Sequence, residues 1–138
     1  MIILDTNLVS ELMKPAPDPD VYRWVARQPP LETRVTAITR AEILYGIESL
    51  PPGKRRTAIA AAAKFVFDHV PAPVLPFDAD AAAHFARISA SRKRIGQPIG
   101  LMDAQIAAIA LSHGATLATR DEAGFAHCGV RIVNPWRR

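Results

Sequence analysis

Four acidic residues lie where the pattern of strands and helices along the chain changes. Asp5 follows the apolar run that opens the sequence, and Glu42 lies early in a helical stretch. Asp103 lies at the start of another helical stretch, and Asp121 follows a short apolar run. Carboxylates that share one pocket can bind Mg2+ or Mn2+, which can promote hydrolysis of a phosphodiester. The chemistry to test is therefore metal-assisted phosphodiester cleavage.

Each of these acids also has an explanation that involves no chemistry. Asp5 could cap the helix that follows it, and Thr39-Arg40-Ala41-Glu42 fits the capping box of a helix N-terminus. Asp103 in a first helical turn is favoured by the helix dipole, and Asp121 could belong to a turn. Capping does not require the four acids to converge, so convergence in one crevice would favour a functional site.

Short apolar runs alternate with helical stretches along the whole chain. The apolar runs predict strands at residues 1–4, 34–38, 74–75, 115–118 and 130–133, the third of them preceded by Pro71. The pattern predicts one α/β domain over residues 1–138, with a five-stranded, mainly parallel sheet and helices on both faces. In such sheets the functional crevice lies outside the carboxyl ends of the strands, where these acids are found.

Four segments resemble PIN-domain ribonucleases, specifically the VapC-type toxins of bacterial toxin–antitoxin pairs. They are Ile3-Leu4-Asp5-Thr6-Asn7, Ala41-Glu42-Ile43-Leu44-Tyr45-Gly46-Ile47, Met102-Asp103-Ala104-Gln105-Ile106-Ala107, and Thr119-Arg120-Asp121 with Phe125. The segments span nearly the whole chain, in the family's order and spacing. The resemblance implies a PIN-like fold and a metal-dependent ribonuclease that hydrolyses RNA phosphodiester bonds, with Mg2+ or Mn2+ as cofactor.

The resemblance also implies roles for individual residues. The expected catalytic and metal-binding acids are Asp5, Glu42, Asp103 and Asp121, with Glu42 acting directly or through water. The hydroxyl groups expected beside them are those of Thr6 and Thr119. The last segment departs from the usual pattern, because many relatives have Asn in place of Asp121 and an acid in place of Gly124.

The same resemblance implies three partners: an RNA substrate, a small antitoxin that blocks the site, and a second copy of the chain. The alternative is a degenerate PIN domain that only binds a protein or an RNA. Two basic clusters, Lys54-Arg55-Arg56 and Arg92-Lys93-Arg94, could form a rim around the acids, although such clusters are also typical of solvated helix ends.

Composition is consistent with a folded intracellular protein. The 138 residues are 49% hydrophobic and 22% charged, which is typical of a globular domain. No apolar run approaches the ~18 residues of a membrane span, and the single Cys128 cannot form an internal disulfide, which favours the cytoplasm. The net charge of +4 permits binding to nucleic acid. Helical spacing predicts six aromatic residues in the core, Tyr22, Trp24, Phe65, Phe67, Phe77 and Phe85.

Overall fold

A computed structural model describes residues 1–70 and 73–136. Pro71 lies outside the described residues. The strands are β1 (Ile2–Leu4), β2 (Thr33–Arg34), β3 (Thr116–Ala118) and β4 (Arg131–Val133). The α-helices are α1 (Thr6–Leu12), α2 (Pro19–Arg27), α3 (Ala37–Glu48), α4 (Lys54–His69), α5 (Ala79–Arg94) and α6 (Leu101–Ser112). A short 3-10 helix covers Pro30–Glu32.

The strands form a parallel sheet in the order β2-β1-β3-β4, which confirms the predicted α/β class. Within the described residues the sheet has four strands instead of the five predicted. The missing strand, at residues 74–75, is reduced to a single bridge in which the Leu75 N–H donates to the Val35 carbonyl at 3.0 Å. Pro73 lies two residues before Leu75, where the next N–H toward β2 would donate, so the ladder cannot extend in that direction. In the other direction the partner strand ends because α3 begins at Ala37.

Helix α3 begins earlier than the sequence predicted. The prediction was a strand through residue 38 followed by a helix from Thr39, but the helix begins at Ala37. The Thr36 hydroxyl accepts a hydrogen bond from the Thr39 N–H at 3.1 Å and so caps the helix. This early start sets which residues of α3 face the carboxyl ends of the strands.

The sheet is buried on both faces, as its parallel pairing requires. On one face, Ile3 and Leu117 pack with buried residues of α5 and α6. On the other face, Leu4 and Ala118 pack with α1, α2, α3 and α4. Helices therefore cover both faces, as predicted. In the part of the chain that the structure describes, no helix combines the length and apolar character needed to cross a bilayer.

Two of the six aromatic residues predicted for the core lie on the surface instead. Tyr22 and Phe65 are 60% and 65% exposed, whereas the other four are partly buried against the core. In each case the neighbour in sequence is buried: Val21 beside Tyr22 and Val66 beside Phe65. Adjacent residues on a helix point about 100° apart, so burying the valine turns the aromatic ring outward.

Arg92 belongs to a basic cluster for which a rim around the acids and a solvated helix end were both open, but the residue is only 5% exposed and fits neither. The guanidinium donates to the carbonyls of Gln97 at 2.6 Å, Gly124 at 2.8 Å and Ala126 at 2.9 Å. It thus ties the end of α5 to the loop between β3 and β4. Arg92 lies one helical turn after the buried Ile88, so the helical period of α5 contained a signal for this burial.

Arg92→Ala should lower the free energy of unfolding by about 2–4 kcal/mol, because three carbonyls in a buried site lose their donor and a cavity is left. Arg94→Ala is the matched control, since Arg94 is exposed in the same last turn of α5, and it should cost less than about 1 kcal/mol. Urea unfolding measures both changes. Equal, small losses for the two variants would show that the buried guanidinium does not stabilise the fold.

Candidate active site

Asp5 lies at the carboxyl end of β1, directly beside the end of β3. Its N–H donates to the Ala118 carbonyl at 3.1 Å, which continues the parallel pairing by one residue. Its carboxylate accepts from the Thr119 hydroxyl at 2.5 Å and from the Leu8 N–H at 2.9 Å. The second bond makes Asp5 the N-cap of α1, so the predicted capping role is confirmed. Asp5 is also only 2% exposed, which a simple surface cap does not require.

The electrostatics connect Asp5 with the other acids. The pKa of Asp5 is raised to about 6 by burial and then by the charges of Asp103 and Asp121, against the opposing hydrogen bonds from Thr119 and Leu8. The pKa of Asp103 is raised by burial and then by the charges of Glu42 and Asp121. The structure therefore brings the four predicted acids together in one mutually repelling cluster.

Glu42 reaches this cluster from the second turn of α3. Its carboxylate accepts a hydrogen bond from the Thr6 hydroxyl at 2.7 Å, and that hydroxyl also lies 3.0 Å from the Thr39 hydroxyl. The predicted capping box is wrong, because Thr36 caps α3 and Glu42 instead contacts α1. Thr6 lies beside the acids, where the sequence placed it.

Asp103 lies in the first turn of α6, whose N-cap, Gly100, has no side chain to cap the helix. The position suits an acid because the helix dipole favours negative charge there. Among residues 1–70 and 73–136, however, no donor forms a hydrogen bond or ion pair with the Asp103 carboxylate. A half-buried carboxylate that faces other acids without a donor is available to bind a cation.

Asp121 follows β3 in a turn, as predicted. Its N–H donates to the Thr119 hydroxyl, and its carboxylate accepts from the Gly124 N–H, both at 3.0 Å. A Cβ on Gly124 would lie 2.1 Å from Oδ2 of Asp121, which is far inside van der Waals contact. Asp121 in this conformation therefore requires glycine at position 124. A side chain at 124 would require the Asp121 carboxylate to rotate away from the Gly124 N–H.

The donor set fits a hard divalent cation better than zinc, because the acids offer only oxygen ligands. As the side chains are oriented here, no three acidic, histidine or cysteine side chains of the described residues are close enough to hold one ion. Asp5, Glu42 and Asp121 each bond a local donor instead. Mg2+ usually keeps several water molecules, so it can bind such a cluster without direct contact to every carboxylate.

Comparison with known proteins gives a consistent result. The family model of the PIN domain matches residues 2–130. The chain is 42% identical to VapC ribonuclease Y4jK of Sinorhizobium fredii, over 99% of this chain and 98% of that protein.

Solved structures agree. The crystal structure of FitAcB from Neisseria gonorrhoeae superposes with a TM-score of 0.91 at 34% identity and covers all of both chains. VapBC-5 from Mycobacterium tuberculosis, a member of the VapBC family of toxin–antitoxin systems, superposes with a TM-score of 0.70 at 25% identity, covering 96% of this chain and 94% of that one. The fold is thus shared along nearly the full length of the chain.

Asp5→Asn should stabilise the metal-free protein at pH 8, because the ionised carboxylate is buried beside other acids. The folded state takes up a proton near pH 6, whereas the unfolded chain does so near 3.8, so the Asp5 penalty is fully present above pH 6 and shrinks as the pH falls. The stability difference between the variant and the parent should approach about 3 kcal/mol at pH 8.

The difference should shrink as the pH is lowered to 5. Chemical unfolding in chelator measures it, and asparagine keeps the cap on α1. A variant less stable than the parent at pH 8, or a difference that grows as the pH falls, would contradict the raised pKa of Asp5.

Proposed function

This chain belongs to the PIN-domain family, in its VapC branch, and on that basis we propose that it is a ribonuclease toxin whose activity a cognate antitoxin blocks. The observation that carries the proposal is the cluster of Asp5, Glu42, Asp103 and Asp121. These acids lie in the four segments that resemble the family's motifs, and the charges of neighbouring acids raise the pKa of Asp5 and of Asp103. Repulsion of this kind has a cost for folding that a bound cation would offset.

The proposed cofactor is Mg2+ or Mn2+, held by Asp5, Asp103 and Asp121, with Glu42 bound directly or through water. The ion would supply positive charge that stabilises the phosphoryl group and promotes ionisation of the attacking water. The chain's own hydroxyl groups hold the ligands in place. Thr119 donates to Asp5, and Thr6 donates to Glu42, so each carboxylate keeps one fixed orientation.

Asp103 is the acid best placed to orient the attacking water. Its carboxylate receives no hydrogen bond from the described residues, so its oxygens can accept a hydrogen bond from a water molecule. The water oxygen would form the new bond to phosphorus as the bond from phosphorus to the leaving ribose oxygen breaks. The water proton passes to the carboxylate, and the leaving ribose oxygen takes up a proton from solvent. The products are two shorter RNA strands, one ending in a phosphate and the other in a hydroxyl.

The proposed partners follow from the relatives and from the surface. One relative is named a VapC ribonuclease, and one structural neighbour is a member of a toxin–antitoxin family, which supports an RNA substrate and an antitoxin. Leu44 and Tyr45 on α3 are 45% and 74% exposed, which supports association with a second copy. The alternative, a degenerate domain that only binds, is disfavoured because all four acids are present and interact.

Asp103→Asn should lower the rate of RNA cleavage by at least on the order of 100-fold, because it removes an anionic ligand and the proton acceptor. Asp80→Asn is the matched control, since Asp80 is an exposed acid in the first turn of α5, and it should cleave like the parent. Cleavage of total RNA is measured with Mg2+ and with chelator. Parental activity in Asp103→Asn would refute the site, and parental activity in chelator would refute the metal.

Asp121→Asn should raise the Mg2+ or Mn2+ concentration for half-maximal cleavage by about tenfold while leaving the rate at saturation nearly unchanged. The asparagine oxygen can still accept from the Gly124 N–H, so only the charge is lost. Asp121→Ala loses this bond as well and should be more impaired. If Asp121→Asn were as inactive as Asp103→Asn at saturating metal, Asp121 would be an essential ligand.

A further inference from the structure

A groove of about 370 Å³ runs from the acid cluster along α1, α3 and α4. Thr6 and Glu42 form the end at the cluster, Ile43 and Ile47 contribute apolar surface, and Arg55 of α4 supplies a cation. The groove is therefore continuous with the candidate active site and combines an apolar lining with one positive charge. This combination suits a nucleotide, which has an apolar base face and an anionic phosphate.

Arg55 differs from its neighbours in the basic segment. Arg56 is bonded to Glu48 at 2.9 Å, and Lys54 is exposed and does not line the groove. Arg55 is exposed, and no carboxylate among residues 1–70 and 73–136 forms an ion pair with it. Its positive charge is thus available to an anionic ligand.

The position of Arg55 is unfavourable for the helix itself. Residues 54–56 begin α4, the first turn contains no acid, and the N-cap is Gly53, which has no side chain. Positive side chains at a helix N-terminus oppose the helix dipole, so Arg55 does not stabilise α4 through its charge. An anion bound beside Arg55 would interact favourably with both the guanidinium and the helix dipole.

We propose that this groove binds the nucleotide next to the scissile phosphodiester of the RNA, with Arg55 binding the phosphate of that nucleotide. The inference rests on the proposed ribonuclease function and adds a substrate subsite to it. Four carboxylates repel an RNA backbone, and Arg55 offsets this repulsion at the adjoining phosphate. The positive charge of Arg55 and the apolar surface beside it therefore favour a nucleotide as the occupant of the groove.

The role of the Arg55 charge is tested by measuring RNA binding. The full chain carries Asp103→Asn in every sample, so that the RNA is not cleaved. The probe is a fluorescein-labelled single-stranded RNA, and anisotropy is measured in Mg2+ over a range of salt concentrations. Adding Arg55→Gln should weaken binding about tenfold and reduce the salt dependence by about one phosphate contact. Adding Lys54→Gln, the matched control, should change the dissociation constant by less than about twofold.

The need for open volume in the groove is tested by substitutions of Gly46, a residue of α3 that lines the groove. A Cβ at this position meets no heavy atom within 4 Å, so a larger side chain would enter the groove without disturbing the core. Leucine also favours a helix more than glycine does, so Gly46→Leu should keep or raise the melting temperature. It should nevertheless weaken RNA binding about tenfold, with Gly46→Ala close to the parent. A merely structural role of Gly46 would not separate stability from binding in this way.

The outcomes distinguish this proposal from the function on which it rests. If the parent neither binds nor cleaves RNA, both fail. If the parent cleaves RNA while Arg55→Gln and Gly46→Leu bind the probe as tightly as their controls, the groove proposal alone is overturned. It is also overturned if both variants still bind RNA but no longer bind a co-expressed antitoxin, because the groove would then be the surface that binds the antitoxin.

Discussion

The parallel pairing of β1 with β3 is the constraint on which the site depends. It places Asp5 against Thr119, a residue 114 positions away in the sequence. The hydroxyl of Thr119 then forms hydrogen bonds with two of the four acids. It donates to the Asp5 carboxylate and accepts from the Asp121 N–H. Without this strand pairing, the two acids would be unrelated caps and turns. With it, they share one crevice that α3 and α6 complete with Glu42 and Asp103.

Local stability and collective function are not alternatives at this site. Asp5 stabilises α1 as its cap, yet its buried charge is opposed by the charges of Asp103 and Asp121. Glu42 accepts a hydrogen bond from Thr6, yet it raises the pKa of Asp103. Each acid is therefore compatible with its own helix or turn, while the four together are unfavourable. Such a cluster, in which each acid is favourable in its own helix or turn but the four charges repel one another, is expected where a bound ligand supplies positive charge.

The sequence predicted what depends on local pattern. The alternation of strands and helices indicated the fold class, and the acids at strand ends indicated the site. Features that depend on tertiary partners were not predictable in this way. The bridge at Leu75 is short because Pro73 has no N–H to donate and because α3 begins at Ala37, and the strand pattern took account of neither. The burial of Arg92 depends on carbonyls of a distant loop, and the donor to Glu42 comes from another helix.

The close approach between Asp121 and position 124 also affects how a substitution at 124 would act. Oδ2 of Asp121 occupies the place of a Cβ at position 124, so a side chain there requires the carboxylate to rotate away and to give up its bond to the Gly124 N–H. A substitution at 124 would therefore redirect the acid at 121 without touching that residue. The glycine thus sets the aim of a neighbouring charge, although it has no side chain of its own.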